Sequence, residues 1–202
     1  METLTVKTKE DFEKVWEYIK TQAQEIFEKD KSHTHIIFLI SADGSIAPVL
    51  FDPLMDESIK LLKTAFAGQD TGHATVQLAK SAVFSYIARL MRQTRAVGYF
   101  QVCEGWALEL ASETQDPKEA ADKMSDVLRE HGSLEKAPCR IEILSVIGRF
   151  REFHGSAIWT IGRRDEEVWL YNLKENREVR TEKVSRQSEW DDAIDKVIKE
   201  KE

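Results

Sequence analysis

Glu104 and Trp106, two apart in the run Val102-Cys-Glu-Gly-Trp, are the residues best placed to do chemistry. Alternate residues of a strand share a face, so carboxylate and indole stand side by side there, and a carboxyl beside an apolar ring keeps its proton to higher pH. A second pair with the same spacing follows, where Arg140 and Glu142 alternate with Ile141 and Ile143 and so share one polar face of their strand. If the two strands pair, Glu104, Arg140 and Glu142 gather beside Trp106 as a cluster able to recognise a polar ligand. The same cluster is equally a solvated sheet face with modest cross-strand ion pairs. A single carboxylate is not a mechanism, and Gly105 points to a bulge or close backbone approach that would turn Glu104 to the rim and bury Trp106. No catalytic residue is assigned.

His33-Thr34-His35 has the form of half a zinc site. In JAMM-type metalloproteases an H-x-H pair is followed by a proline and a later serine and aspartate. Here Ile36 follows, Ser41 and Asp43 arrive too early, and Asp43 is accounted for by a turn. Zinc would need His73, His131 or His154 to converge on the pair, and the residues are read as unliganded, with no metal assigned. Cys103 would need a neighbouring histidine and acid to act as a nucleophile; with Cys139 it is read as a reduced core residue, and no cofactor is implied. Arg149, Arg151, His154, Arg163 and Arg164 make the last hairpin region basic. They lack the interleaved aromatics on which single-stranded nucleic acids stack, and are read as a charged loop end.

The elements that must position these residues follow from local pattern. Thr8 with Asp11 forms a capping box ahead of Phe12, Val15, Trp16, Ile19, Ala23, Ile26 and Phe27, which predicts an amphipathic helix over 8–30. Two β-rich runs, 35–40 and 46–51, flank Asp43-Gly44 and predict a hairpin, with Pro48 confining the second strand to a sheet edge. Helical spacing resumes from Asp56, breaks near Gly68, and returns through Val76 to Met91 before the strand that carries Glu104. The polar stretch 112–138 holds a helix opening at Asp116-Pro117 and reads as an insertion or a flap over the sheet. Strands over 139–147, 155–161 and 168–173 form an antiparallel meander, and Ser188 caps a helix over 188–202 carrying Trp190, Ile194 and Val197.

Hairpins and a meander without βαβ crossovers imply an α+β fold, a mainly antiparallel central sheet with packed helices in a single domain over 1–202. With 42% hydrophobic and 32% charged residues the chain can fill one core. Its net charge of −7 opposes broad nucleic-acid binding. No apolar run is long enough to span a bilayer, and Met1 leads directly into a polar segment, so the expected location is cytoplasmic.

The element order resembles the profilin-like group that includes roadblock and longin domains. Val102-Cys-Glu-Gly-Trp and Pro138-Cys-Arg-Ile-Glu together resemble a family of uncharacterised bacterial proteins in which a strand ending Glu-x-Trp is followed, after a variable loop, by one opening Pro-x-Arg-x-Glu. The resemblance covers 35–173 and implies no activity; Gly105 stands where that family has alanine, and Ala137 where it has histidine. Two functions follow as expectations. The first is a non-enzymatic module working through protein contacts, self-association included, since separated tryptophans suit interface anchors. The second is a small-ligand sensor or enzyme with a pocket floored by Glu104, Trp106, Arg140 and Glu142 beneath the 112–138 segment.

Overall fold

The computed structural model describes residues 5–66, 72–108, 117–132, 136–138, 140–179 and 189–200. The expected cap at Ser188 and the strand residue Cys139 lie outside the described residues, as do the side chains of His73, Met124 and Leu128.

Helix α1 (Lys9–Asp30) opens on the predicted capping box, Thr8 accepting from the Asp11 N–H while the Asp11 carboxylate accepts from Thr8. It buries Phe12, Val15, Trp16, Ile19, Ala23 and Phe27 along one stripe and ends at Lys31, which is left-handed at φ 59°. Strands β1 (Ile36–Ser41) and β2 (Ile46–Leu50) form the expected hairpin around Gly44, whose φ of +90° favours glycine. Helix α2 (Phe51–Ala65) follows β2 directly, ahead of the expected start at Asp56. Phe51 is buried as the first helical residue, and Pro53 falls within the first turn, where its missing N–H costs nothing. Helix α3 (Gly72–Gln93) leads into β3 (Ala96–Leu108), and α4 (Pro117–His131) separates β3 from a meander of β4 (Arg140–Phe150), β5 (Phe153–Arg164) and β6 (Glu167–Val179). Helix α5 (Glu189–Lys199) closes the order.

All pairings are antiparallel, in a six-stranded sheet ordered β2-β1-β3-β4-β5-β6. The fold is α+β, and Pro48 lies on an edge strand. Each face of the sheet has its own core. Helix α1 packs across β4, β5 and β6, placing Trp16, Phe12 and Phe27 with Phe100, Leu144, Val146 and Trp159. Gly148 and Gly155 lie directly beneath the Trp16 ring, which needs the space their missing side chains leave. On the opposite face α2, α3 and α5 lie side by side over β1 and β3, where Ile37, Leu39 and Tyr99 meet Val83, Ile87, Trp190 and Ile194. None of the described helices is long and apolar enough to cross a membrane.

Candidate functional site

The Glu104 and Trp106 side chains project from the α1 face of β3, and strict alternation along the strand puts them there together. β3 pairs with β4 so that Trp106 lies opposite Glu142 and Leu108 opposite Arg140, with an unbroken ladder from Gly98 to Leu108. The expected bulge at Gly105 is therefore not formed. Among the described residues other than its chain neighbours, no atom comes within 4 Å of where its Cβ would stand, so no close backbone approach among them explains the glycine.

All four predicted residues meet at this end of the sheet, with Arg163 of β5 joining them. Its guanidinium grips both oxygens of Glu142 at 2.7 Å and lies 3.6 Å from Glu104. Glu104 also accepts from the backbone N–H of His33, which ties the segment between α1 and β1 to the sheet. The Arg140 guanidinium lies 5.1 Å from the centre of the Trp106 ring, a cation–π contact on an indole that stays 37% exposed. Burial pushes the Glu104 carboxyl above the usual range, opposed by the His33 N–H and by Arg163, and the Glu142 charge adds to the rise. Hydrogen bonding to Glu142 holds the Arg163 guanidinium more firmly charged. Chemically this is a network of two carboxylates bridged by one bidentate cation, with a cation–indole plate beside it.

The remaining candidates separate. His33 and His35 lie in the linker before β1, not on a strand. The His33 ring nitrogen is 2.7 Å from the Thr34 carbonyl. His35 stacks on Phe51 at 4.1 Å and meets the Gln101 side chain at 2.9 Å, on the helix-layer side of the sheet. Burial lowers its pKa to about 4, which keeps the imidazole neutral. Among the described residues, no three His, Cys, Asp or Glu side chains converge as metal ligands do. Cys103 is half-buried rather than enclosed in the core, its thiol 3.3 Å from Ser145 Oγ, and burial raises its pKa, away from thiolate chemistry.

The basic cluster expected around the last hairpin does not form either. Arg149 is buried, paired with Asp191 at 2.9 Å and with Asp195, both on α5. Arg163 lies at the far end of β5 from His154 and is taken up by Glu142.

Sequence reasoning missed a different surface. Beyond α5, the face of β4, β5 and β6 that looks away from α1 carries Ile143, Ile147, Ile158, Trp169 and Tyr171 half-exposed or exposed, Ile147 at 36% and Tyr171 and Trp169 each at 42%. Ile141 and Ile143 looked like the inward residues of β4, and Arg140 and Glu142 like its solvent face. In the fold Glu142 shares its face with buried Leu144 and Val146, and Ile143 shares its face with exposed Ile147. The available signal was the alternation of β4 and β5 taken jointly, with apolar residues at both parities, as in strands that have no wholly polar side.

No protein-family model matches the chain, and neither a curated protein nor a solved structure matches it.

Proposed function

We propose that this chain is a non-enzymatic cytoplasmic protein-interaction module whose recognition surface is the sheet face of β4 to β6 beyond the edge of the α2–α3–α5 layer. One observation carries the reading, the near absence of charge in three successive cross-strand rows of that face. Its cross-strand rows run Gly105–Ile143–Thr160–Tyr171, Cys103–Ser145–Ile158–Lys174 and Gln101–Ile147–Ser156–Asn176, and Lys174 is the one charged residue in them. In a chain with 32% charged residues, rows of so little charge that leave Ile147 and Tyr171 exposed and Ile143 and Ile158 half-exposed suit a partner. At a strand spacing of about 4.8 Å and a same-face repeat of about 6.7 Å, the rows span roughly 400 Å² in plan, with Ile143, Ile147, Ile158 and Tyr171 as their large apolar side chains.

The sheet edges are less suited to the task. β2 is short and carries Pro48, while β6 is broken by a register shift near Asn172 and carries Lys174, Glu175 and Arg177, the devices that discourage edge pairing. The Glu104–Glu142–Arg163 network spends its hydrogen-bonding capacity internally, which weighs against a ligand pocket there. The free thiol of Cys103 accords with a reducing compartment.

A photoreactive residue at position 158 tests the reading in an extract of the source cells. A discrete protein adduct that disappears when Ile147→Asp is added supports it; labelling by solvent alone, with no protein adduct, removes it.

A further inference from the structure

On a part of the molecule separate from the β4–β6 face, we infer that the outward side of α3 and the turn after it bind an extended acidic segment of a partner protein. Between Asp70 and Glu104 the sequence has no Asp or Glu, although the chain holds 36 acidic residues and a net charge of −7. Lys80, Arg89, Arg92 and Arg95 all fall in that stretch, and all four are exposed.

The three arginines are not compensated within the fold. Arg149, Arg163 and Arg177 each reach a carboxylate, whereas Arg89, Arg92 and Arg95 form no ion pair among the described residues. The helix dipole favours a cation in the last turn, which accounts for Arg92 but not for Arg89, a turn earlier, or for Arg95, past the helix end. The Arg89 guanidinium lies 5.6 Å from the centre of the exposed Tyr86 ring, a contact that orients the group without neutralising it.

The surface around these cations has the form of a narrow track. Leu78, Ala82, Ser85, Arg89 and Arg92 follow the three- and four-residue steps that keep side chains on one side of a helix, and they face away from buried Val83, Ile87 and Met91. Small Ala82 and Ser85 leave a shallow groove of about 300 Å³ beside Tyr86, Arg89 and Arg92, and exposed Leu78 stands one turn beyond it. At a rise of about 1.5 Å per residue, Leu78 and Arg92 are about 21 Å apart, the span of about seven extended residues. Alternate residues of such a segment repeat about every 6.7 Å, near the ~5–6 Å between residues three apart on a helix. Two carboxylates at alternate positions therefore meet Arg89 and Arg92, and an apolar residue at the other end meets Leu78.

Other anionic partners fit less well. The arginines span only about 9 Å along the chain axis, and the net charge of −7 repels a long polyanion such as a nucleic acid. A membrane surface is broad and would also meet α2, which packs beside α3 and exposes Asp52, Asp56 and Glu57.

Fluorescence anisotropy of the full chain with two labelled peptides, Asp-Ser-Asp-Ser-Ser-Ser-Leu and its reverse, tests the inference. One of the two is expected to bind with a Kd of roughly 10–500 μM, weakening as salt is added. Arg89→Glu/Arg92→Glu lowers that affinity at least tenfold and gains binding to the same peptide with Lys in place of both Asp. Far-UV circular dichroism and Tm confirm that the variant is folded, and Arg89→Gln/Arg92→Gln, which removes the charges without reversing them, is expected to lose peptide binding as well. Failure of both peptides to bind at millimolar concentration overturns the inference, and so does binding that survives the charge reversal. A single-stranded oligonucleotide and phosphatidylglycerol vesicles are measured alongside. Tighter binding of either, dependent on Arg89 and Arg92, assigns the track to that partner and overturns the acidic segment.

Discussion

Arg149 Nη1 of β4 stands 2.9 Å from Asp191 Oδ1 of α5, between the sheet and its helix layer, where both residues are nearly excluded from solvent. That nitrogen is out of line for a hydrogen bond, so the contact there is Coulombic, while Nη2 reaches Asp195 and Nε donates to the Arg151 carbonyl. Burial opposes the guanidinium charge, yet the two aspartates outweigh it and hold the group firmly protonated.

Removing one side of such a cluster strands the other. Arg149→Met leaves two carboxylates on α5 facing an apolar sheet, and is expected to cost about 3–5 kcal/mol. Adding Asp191→Asn and Asp195→Asn removes the stranded charges and recovers at least half of that. Urea unfolding measures both; a single-variant loss below about 1 kcal/mol contradicts the account.

His35 makes stability depend on pH in the acid range. Its folded pKa of about 4 lies below the ordinary value of 6.5, so the fold favours the neutral ring. The sign follows: this contribution is fully present above pH 6.5 and is lost as pH falls toward 4, because the unfolded chain takes up the proton first. The loss is on the order of 3 kcal/mol at 1.36 kcal/mol per pKa unit. In His35→Gln the fall between these pH values is shallower by that amount, as read from chemical denaturation at each pH. Parallel curves for the two proteins contradict the assignment.

Glu104 acts in the opposite sense. Burial raises its carboxyl above the ordinary 4.5, so the folded state holds the proton more tightly, and its contribution to stability declines as pH rises above that value. The side-chain amide of the Glu104→Gln variant keeps an oxygen for the His33 N–H but has no titrating proton to lose. The stability of Glu104→Gln relative to the natural chain is expected to increase from pH 4 toward neutrality and then level off. A difference that stays constant with pH removes Glu104 as its source.

Features set by near neighbours were legible before the fold was seen. Thr8 and Asp11 lie three apart, Asp43-Gly44 forms its turn locally, and the shared face of Glu104 and Trp106 needs only strand alternation. Their meeting with Arg140 and Glu142 needed one further condition, the β3–β4 pairing. Arg163 was missed as a member because its approach depends on the β4–β5 register, and Arg149 was misread because its partners lie 42 and 46 positions away on a helix whose seat is a tertiary matter. The inward side of β4 was ambiguous for a similar reason. Isoleucine, leucine and valine occur at both parities, and only the placement of α1 decides between them.

The sheet glycines let that packing be tested one position at a time. A Cβ at Gly98 would come 2.3 Å from the Arg149 carbonyl oxygen and 2.9 Å from Phe150 Cα, both backbone atoms of the paired strand. At Gly148 it would come 2.9 Å from Phe100 Cδ1 and 3.0 Å from the Trp16 ring, side-chain rather than backbone atoms, whereas at Gly105 it would meet no atom of the described residues within 4 Å, its chain neighbours aside. Gly98→Ala is therefore expected to cost the most, more than about 3 kcal/mol, and Gly148→Ala about 1–3 kcal/mol from overpacking. Gly105→Ala should stay within about 0.5 kcal/mol of the natural chain or gain slightly, since alanine restricts the unfolded backbone more than glycine does. Thermal and urea unfolding of the three variants establish the order; a Gly105→Ala loss equal to that of Gly98→Ala would mean that the face beyond α5 is covered, and would remove the open surface on which the proposed interaction depends.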